Sequence, residues 1–477
     1  MPPRSDWPSC SVPEPLVSGG FHTITLGCKA NQFDSAAIDG ELVRRGFDRR
    51  EHYRDADVVV VNTCTVTHRA DADARRLIRA VRRANPACTL MVTGCYAQLD
   101  PEILRAMPEV DGVFGNDEKQ QWPEILDGLG LPTATDSNRV QPDRGCDGMP
   151  NAAGLYFGSR TRAFLKVQDG CRLACSYCVI PTVRGASRSV PTPVVVDAFT
   201  GLLRRGYREV VLTGINTGDY GRDLEDGSTL ATLLRTLLSV AGSNRIRLNS
   251  LEPLTVTDEV IELLADHPRL ASHLQMPLQS GSPAVLRAMR RNYRLETYSE
   301  RLETLATRVP DIALGADVIV GFPGETDAQF EETFRFVRDS PLCYLHVFSW
   351  SPRQGTPASE LDGRVHSRVI VERSRRLREL AAQKALQFRR RFVGRRLDAV
   401  ALGSEGERAL TGNFIDVKLQ APGGTCRRSA VGLVDVELTS ANEEGATARW
   451  VGHPSWATPA PGSLQVPEPL EGKNSTV

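Results

Sequence analysis

Short apolar runs rich in β-branched residues alternate with helix-patterned segments through most of this chain, and that cadence confines it to parallel α/β architecture. From Phe21 to about Leu126 the runs TITL (Thr23–Leu26), DVVVVN (Asp57–Asn62) and TLMVTG (Thr89–Gly94) are separated by helical stretches at Asp34–Gly46 and Ala70–Ala84. A second block, Ala163 to Trp350, carries six β runs: AFLKV, EVVLTG, RIRLNS, HLQMPL, ALGADVIVGF and YLHVFSW. Segments with helical spacing lie between them, such as Val194–Gly206 and Asp327–Asp339. Six repeats of about thirty residues predict a (β/α)6 partial TIM barrel, with its chemistry at the strand tops.

The remaining segments complete an α/β chain of three folded parts. Residues 1–20 and 453–477 are Pro-rich and read as disordered ends, and 128–160, rich in Gly, Pro, Asp and Asn, reads as a linker. The N-terminal parallel α/β domain spans 21–127, and the barrel with a basic C-terminal helix spans 161–396. The short alternating runs DAVAL, NFIDVKL and VDVEL within 397–452 predict a small β-barrel. No stretch approaches a membrane span and the N-terminus has no signal-length apolar run, so the chain reads as cytoplasmic with no membrane contact. Lys plus Arg equals Asp plus Glu at 58 each, so any nucleic-acid surface must come from local asymmetry.

The cysteines supply the chemistry. Cys171, Cys175 and Cys178 form a CxxxCxxC loop just past the first barrel strand. With 11 cysteines in 477 residues, the chance expectation for this spacing is roughly 0.006, so coincidence is a poor account. Three thiolates in a compact loop can hold three irons of a [4Fe–4S] cube and leave the fourth open to a substrate. The alternative, a zinc site, wants four ligands and commonly a second CxxC arm, which the sequence lacks. Groups that could hold a nucleoside sit at strand ends: Thr213, Gly214 and Asn216, then Ser250 and Glu252, then Gln279, Ser280 and Gly281. Taken singly, each is more often what turn chemistry places there; as a set they fit a strand-top ligand site.

Cys28, Cys64 and Cys95 each follow one of the three N-terminal strands at once. Carboxyl ends of parallel strands share one rim, so these thiols can meet around a common object; alternatively they are three buried small hydrophobes. Cys88, Cys10, Cys146, Cys343 and Cys426 carry no such positional signal.

The CxxxCxxC loop and its barrel resemble the radical S-adenosylmethionine superfamily. The phrases TLGCKANQ (Thr25–Gln32), VNTCTVT (Val61–Thr67), TGCYAQ (Thr93–Gln98), VRGASR (Val183–Arg188), PLQSGS (Pro277–Ser282), DVIVGFPGE (Asp317–Glu325) and SPRQGTP (Ser351–Pro357) resemble its methylthiotransferases over Phe21 to Val451. The resemblance implies two [4Fe–4S] clusters, one on Cys171, Cys175 and Cys178 and one on Cys28, Cys64 and Cys95. It also implies S-adenosylmethionine as cofactor and radical source, a terminal TRAM-like barrel that grips RNA, and a reductant such as flavodoxin or ferredoxin. TLGCKANQ and LTGINTGDYG (Leu212–Gly221) are most similar to the branch that methylthiolates N6-threonylcarbamoyladenosine beside the tRNA anticodon. Asn216, where His is expected, and Ser349-Trp350, where Pro-Tyr is expected, depart from that branch. Sister enzymes act on isopentenyladenosine or a ribosomal-protein aspartate; an RNA-binding module with an inert cluster is the reading of another class.

Twelve Arg or Lys residues between Arg364 and Arg396 face only Glu372 and Glu379 in that stretch, and with the small barrel they suit RNA, which the resemblance implies is the anticodon loop of a tRNA. Arg287, Arg290, Arg291 and Arg294 could extend that surface. Arg stems lying over neighbouring residues are the competing reading.

Overall fold

Four successive valines, Val58–Val61, are stiff at χ1 and buried on both faces, and with Asn62 and Thr63 they form the middle of a parallel sheet. In the computed structural model, which describes residues 19–128, 155–157, 161–240, 242–402, 407–420 and 432–457, this N-terminal sheet has five strands. They are β1 (Gly20–Thr25), β2 (Asp48–Arg49), β3 (Val58–Thr63), β4 (Thr89–Gly94) and β5 (Gly112–Phe114), in the order β2-β1-β3-β4-β5. The three runs read from the sequence are therefore adjacent at its centre. Helices α1 (Lys29–Arg44), α2 (His68–Ala84), α3 (Cys95–Leu99), α4 (Pro101–Arg105) and α5 (Trp122–Gly128) connect and follow these strands. Thr67 caps α2 by accepting from Ala70 N at 3.1 Å, which fixes where the chain turns after Cys64.

All six expected barrel strands form: β6 (Arg162–Lys166), β9 (Glu209–Thr213), β10 (Arg245–Leu248), β11 (His273–Gln275), β12 (Ala313–Val320) and β13 (Tyr344–Ser349). They are parallel and run in chain order, β6-β9-β10 and β11-β12-β13, joined by the bridges Ile246–Leu270 and Ser250–Gln275. The small ribbon β7 (Gln168–Asp169) and β8 (Arg188–Ser189) brackets the cysteine loop and α6 (Ile180–Arg184). Helices α7 (Thr192–Arg204), α8 (Leu230–Ser239), α9 (Asp258–Asp266), α10 (Pro283–Ala288), α11 (Leu295–Arg308) and α12 (Asp327–Asp339) fill the connections, and α13 (Ser367–Arg390) follows β13.

The C-terminal part is a closed five-stranded barrel of β14 (Arg396–Leu402), β15 (Arg408–Thr411), β16 (Asp416–Gln420), β17 (Leu433–Ala441) and β18 (Ala446–Gly452). Two boundaries differ from the sequence reading. The stretch taken as linker begins with the last residue of α5 and ends in Leu155 and Phe157, which are buried in the main core; an apolar Leu-Tyr-Phe triplet inside a polar segment is what packing selects. The tail begins folded, since His453 Nδ1 lies 2.7 Å from Leu433 O and Trp456 packs beneath the small barrel. Residues 1–18 and 458–477, with Cys10, Cys146 and Cys426, lie outside the described residues.

A buried charge cluster joins the two barrels at the amino ends of β6, β9 and β10. Glu209, wholly buried, accepts from Arg162 Nε at 2.6 Å, Arg245 Nε at 2.7 Å and Arg247 Nη2 at 3.0 Å. Arg245 continues to Asp398 Oδ2 at 2.6 Å and Leu410 O at 2.8 Å, and Arg247 to Thr411 O at 2.9 Å and Gly412 O at 3.0 Å. Phe414, at φ 64°, then stacks on His273 with ring centroids 4.1 Å apart, so the small barrel's β15–β16 turn plugs the bottom of the large one.

Burial holds the His273 imidazole well below its ordinary range, reinforced by the neighbouring Arg247 and Lys29 charges. The folded imidazole stays neutral while the unfolded one takes up a proton below about pH 6.5. Its contribution is therefore intact above that pH and declines as pH falls below it, by about 1.4 kcal/mol per unit. Urea denaturation from about pH 7 to about pH 5 should show this decline, and His273→Gln should flatten it.

Candidate active site between two cysteine trios

Gly27 and Gly94, each directly before a cysteine, have φ of 96° and 102°, a region that favours glycine. A methyl on Gly27 would lie 2.7 Å from Cys64 Cβ and 3.0 Å from its Sγ, and one on Gly94 would lie 2.3 Å from Thr63 O. Both loops are thus drawn onto the Thr63–Cys64 corner, which brings Cys28, Cys64 and Cys95 to one rim of adjacent strands. Asn31 braces that corner by donating to Leu26 O at 2.8 Å and Thr63 O at 2.9 Å.

Cys95 also meets the large barrel. It packs against Val179 and Val183, which flank the turn that follows Cys178, and it receives Arg184 Nε at 3.3 Å and Asn116 Nδ2 at 3.6 Å. Arg184 is buried and held by Asp169 at 2.9 and 3.0 Å, Asp34 at 3.0 Å and Asn31 at 2.6 Å. Burial alone would push the Asp34 carboxyl up, but Lys119, Lys166 and Arg184 outweigh it and keep it well below the usual carboxylate range. On the opposite side Arg353 reaches from the loop after β13 to Asp71 Oδ2 at 2.7 Å and to Thr65, fastening the Cys64 loop to the barrel.

The CxxxCxxC loop is seated by the main chain: Cys171 N donates to Gly185 O at 3.1 Å and Ser176 N to Met289 O at 3.0 Å. Leu173 N points at Cys171 Sγ at 3.4 Å and Arg291 Nη1 at Cys175 Sγ at 3.3 Å. Burial pushes the Cys178 thiol up to about 12 and the Cys64 thiol up to about 11. Such thiols are poor free nucleophiles and suit a ligand role, in which metal displaces the proton. Both trios fit cluster thiolates, because N–H groups aimed at sulfur are among the contacts that set a cluster's potential. Among the described residues, no three His, Cys, Asp or Glu side chains gather around the position of a single metal ion. A four-iron cube spreads its thiolates farther apart than one ion does.

The strand-end residues divide. Thr213 accepts from Asn249 Nδ2 at 3.2 Å, Gly214 passes so close to Gln168 that a Cβ would lie 2.8 Å from its Oε1, and Asn216 N donates to Gln168 Oε1 at 2.8 Å. Asn216 Oδ1, Thr217 Oγ1 and Asp219 Oδ2 are buried without a hydrogen-bond partner among the described residues. Unsatisfied buried oxygens at a strand top are what a bound nucleoside would engage. Glu252 is paired with Arg291, which ties the third strand end to the cysteine loop, and Ser250 bridges to Gln275. Gln279, at φ 65°, donates its N–H to Asp317 O at 2.7 Å. Ser280 and Gly281 turn outward instead: both contact Thr333 Oγ1 of α12, at 3.1 and 3.0 Å, and packing consumes their polar groups.

The basic surface is smaller than the sequence suggests. Arg373 is buried against Glu325 and Asp327, Arg376 pairs with Glu331, Arg395 with Asp311, and Arg375 with Glu372 and Glu379. Carboxylates on α12 and on the turns before it and before β12 supply countercharge that a count along one helix misses. Arg364, Arg368, Arg390 and Arg396 remain as exposed cations, as do Arg378 and Arg391, which donate only to the carbonyls of Val347 and Pro310. Arg291 likewise leaves the proposed cluster of Arg287, Arg290 and Arg294, because it is spent on Glu252 and Cys175.

Two family models match the two halves of this site: "Uncharacterized protein family UPF0004" over residues 20–115 and the "Radical SAM superfamily" over 165–337. The threonylcarbamoyladenosine tRNA methylthiotransferase MtaB of Bacillus subtilis is 39% identical over 392 residues, which cover 81% of this chain and 85% of that protein. The chain belongs to the radical S-adenosylmethionine methylthiotransferase family. A tRNA-2-methylthio-N(6)-dimethylallyladenosine synthase from Parafrankia is 37% identical over 82% of this methylthiotransferase and 80% of its own length. Among solved structures, the radical S-adenosylmethionine methyltransferase TsrM of Kitasatospora setae matches with a TM-score of 0.50 at 17% identity, covering 72% of this chain and 77% of that one, and bears out the fold. The methylthiotransferase is thus a radical transferase with S-adenosylmethionine and [4Fe–4S] clusters as cofactors. Among its described residues no helix is long and apolar enough to cross a membrane.

Lys29, Arg184 and Arg353 were not singled out from the sequence. All three lie inside motifs, TLGCKANQ, VRGASR and SPRQGTP, but only their three-dimensional partners give them roles.

Proposed function

We propose that this methylthiotransferase replaces the C2 hydrogen of N6-threonylcarbamoyladenosine, on the 3′ side of the tRNA anticodon, with a methylthio group. The observation that carries this reading is the contact between the segments that bear the two trios: Cys95 packs on Val179 and Val183, in the stretch that follows Cys178. Cys171, Cys175 and Cys178 hold one [4Fe–4S] cluster, and Cys28, Cys64 and Cys95 hold the second. When bound, the first would supply the electron that cleaves S-adenosylmethionine and the second would supply or carry the sulfur, with two S-adenosylmethionine equivalents spent, one as methyl donor.

The protein's own work is placement. Asn216, Thr217 and Asp219 present buried oxygens to the nucleoside, Glu252 and Arg291 fix the third strand end against Cys175, and Arg184 holds the two halves in register. The exposed arginines near α13 and the small barrel meet the anticodon stem-loop by phosphate contact. A small one-electron carrier such as flavodoxin or ferredoxin delivers the electron, and the work is done in the cytoplasm.

Mass spectrometry of tRNA nucleosides from a deletion strain should show threonylcarbamoyladenosine retained and its 2-methylthio derivative missing. An unchanged profile would overturn the assignment, and selective loss of the methylthiolated isopentenyl nucleoside would place the chain with its dimethylallyladenosine relatives.

A further inference from the structure

Lys29 follows Cys28 and opens α1, yet its side chain leaves the N-terminal domain. Its Nζ donates to Asn249 Oδ1 at 2.6 Å, and Asn249 Nδ2 donates in turn to Thr213 Oγ1 at 3.2 Å. The ammonium therefore stands inside the large barrel, at the strand end that leads to Ser250 and Glu252, with Arg162, Arg247 and Glu209 of the lower cluster and Cys28 as its charged neighbours. The barrel beneath it is cation-rich, but each cation there has an anion: Arg162, Arg245 and Arg247 share Glu209, and Arg245 also takes Asp398. Lys166 has Asp34 and Asp169. Among the described residues Lys29 alone of this group has a neutral amide as its hydrogen-bond partner and no carboxylate within ion-pair distance.

Withdrawing an ammonium from water is unfavourable unless an anion or a full set of acceptors replaces the lost hydration. A largely buried cation with one neutral acceptor, placed beside Cys28 at the end of β10, marks where an incoming anion would sit. The geometry points to Lys29 as the residue that holds a carboxylate of the substrate, the threonine carboxylate of the threonylcarbamoyl group. This rests on the proposed tRNA substrate. An isopentenyl group brings no charge, so the same ammonium would also disfavour the sister substrate by leaving the cation unpaired. The other carboxylate that could reach this mouth is the methionyl carboxylate of S-adenosylmethionine.

The test compares reconstituted wild type, Lys29→Met and Lys29→Arg on an anticodon stem-loop RNA bearing threonylcarbamoyladenosine either as free acid or as its methyl ester. Wild type should favour the acid by roughly 10- to 100-fold in kcat/KM, as one charge-assisted hydrogen bond implies. Lys29→Met should lose that preference, mostly through KM, with iron content unchanged, and Lys29→Arg should restore most of it. A Lys29→Met enzyme that still prefers the acid would overturn the inference. So would an equal loss of S-adenosylmethionine affinity measured without RNA, which would assign the methionyl carboxylate to this lysine. If wild type converts neither RNA but does convert one bearing isopentenyladenosine, the substrate reading fails and the subsite falls with it.

Discussion

Alanine at Cys171 and alanine at Cys64 are each expected to remove about half the iron and sulfide of the anaerobically reconstituted enzyme, from different sites. Cys171 sits in a loop pinned by Gly185 O, and Cys64 at a corner on which Gly27 and Gly94 converge. The two losses should be separable in chemistry as well as in metal. Without the Cys171 thiolate, reductive cleavage of S-adenosylmethionine should cease, and no 5′-deoxyadenosine should form. With Cys64→Ala, 5′-deoxyadenosine should still form while methylthiolated product disappears, because the radical source is intact and the sulfur carrier is not. If only Cys171→Ala lowered the iron, the N-terminal trio would be three free thiols, of which only Cys95 is buried, and the sulfur-insertion reading would lose its basis.

Glu209→Gln is expected to be the most destabilising single change outside the cysteines. Burial by itself would raise this carboxyl, but Arg247, Arg245 and Arg162 together hold it well below the ordinary carboxylate range. Neutralising it leaves three guanidiniums converging on an amide, and Asp398, partly exposed, relieves only Arg245. Removing one partner of a buried ionic cluster costs about 3–5 kcal/mol, a large share of a typical domain's stability. Because Arg245 and Arg247 also hold the main chain of Leu410, Thr411 and Gly412, the loss should reach the joint between the two barrels. Urea denaturation should show a lower midpoint, and limited proteolysis should cut first near the start of β14. Since the folded carboxyl is depressed, its contribution is present above the unfolded value near pH 4.3 and is lost as pH falls toward the folded one. The wild-type and Glu209→Gln curves should therefore converge in acid.

The fold was legible because its periodicities are local. Valine runs such as Val58–Val61 and the six barrel runs announce strands without knowledge of their neighbours. The cysteine positions were legible for the same reason: a thiol within three residues of a strand's end needs only topology to reach its partners. Charge was not legible, because its meaning depends on what folds against it. Arg373 and Arg376 looked like RNA contacts until Glu325, Asp327 and Glu331 came across from the turn before α12 and from α12 itself, and Arg291 looked like surface until Glu252 reached it from the loop after β10. Ser280 and Gly281 sit in the expected place but face α12, since a two-residue change of direction in a loop leaves no mark on composition. Lys29 could have been noticed as a cation adjoining a candidate ligand, yet only Asn249, 220 positions away, shows where its ammonium points.

The most direct test incubates the reconstituted enzyme with S-adenosylmethionine, a one-electron reductant and an anticodon stem-loop bearing threonylcarbamoyladenosine, and reads nucleoside mass together with 5′-deoxyadenosine. The account expects a product in which methylthio replaces one hydrogen of the adenine ring, formed in step with 5′-deoxyadenosine. Release of 5′-deoxyadenosine with the nucleoside mass unchanged, from protein carrying a full complement of iron, would contradict it.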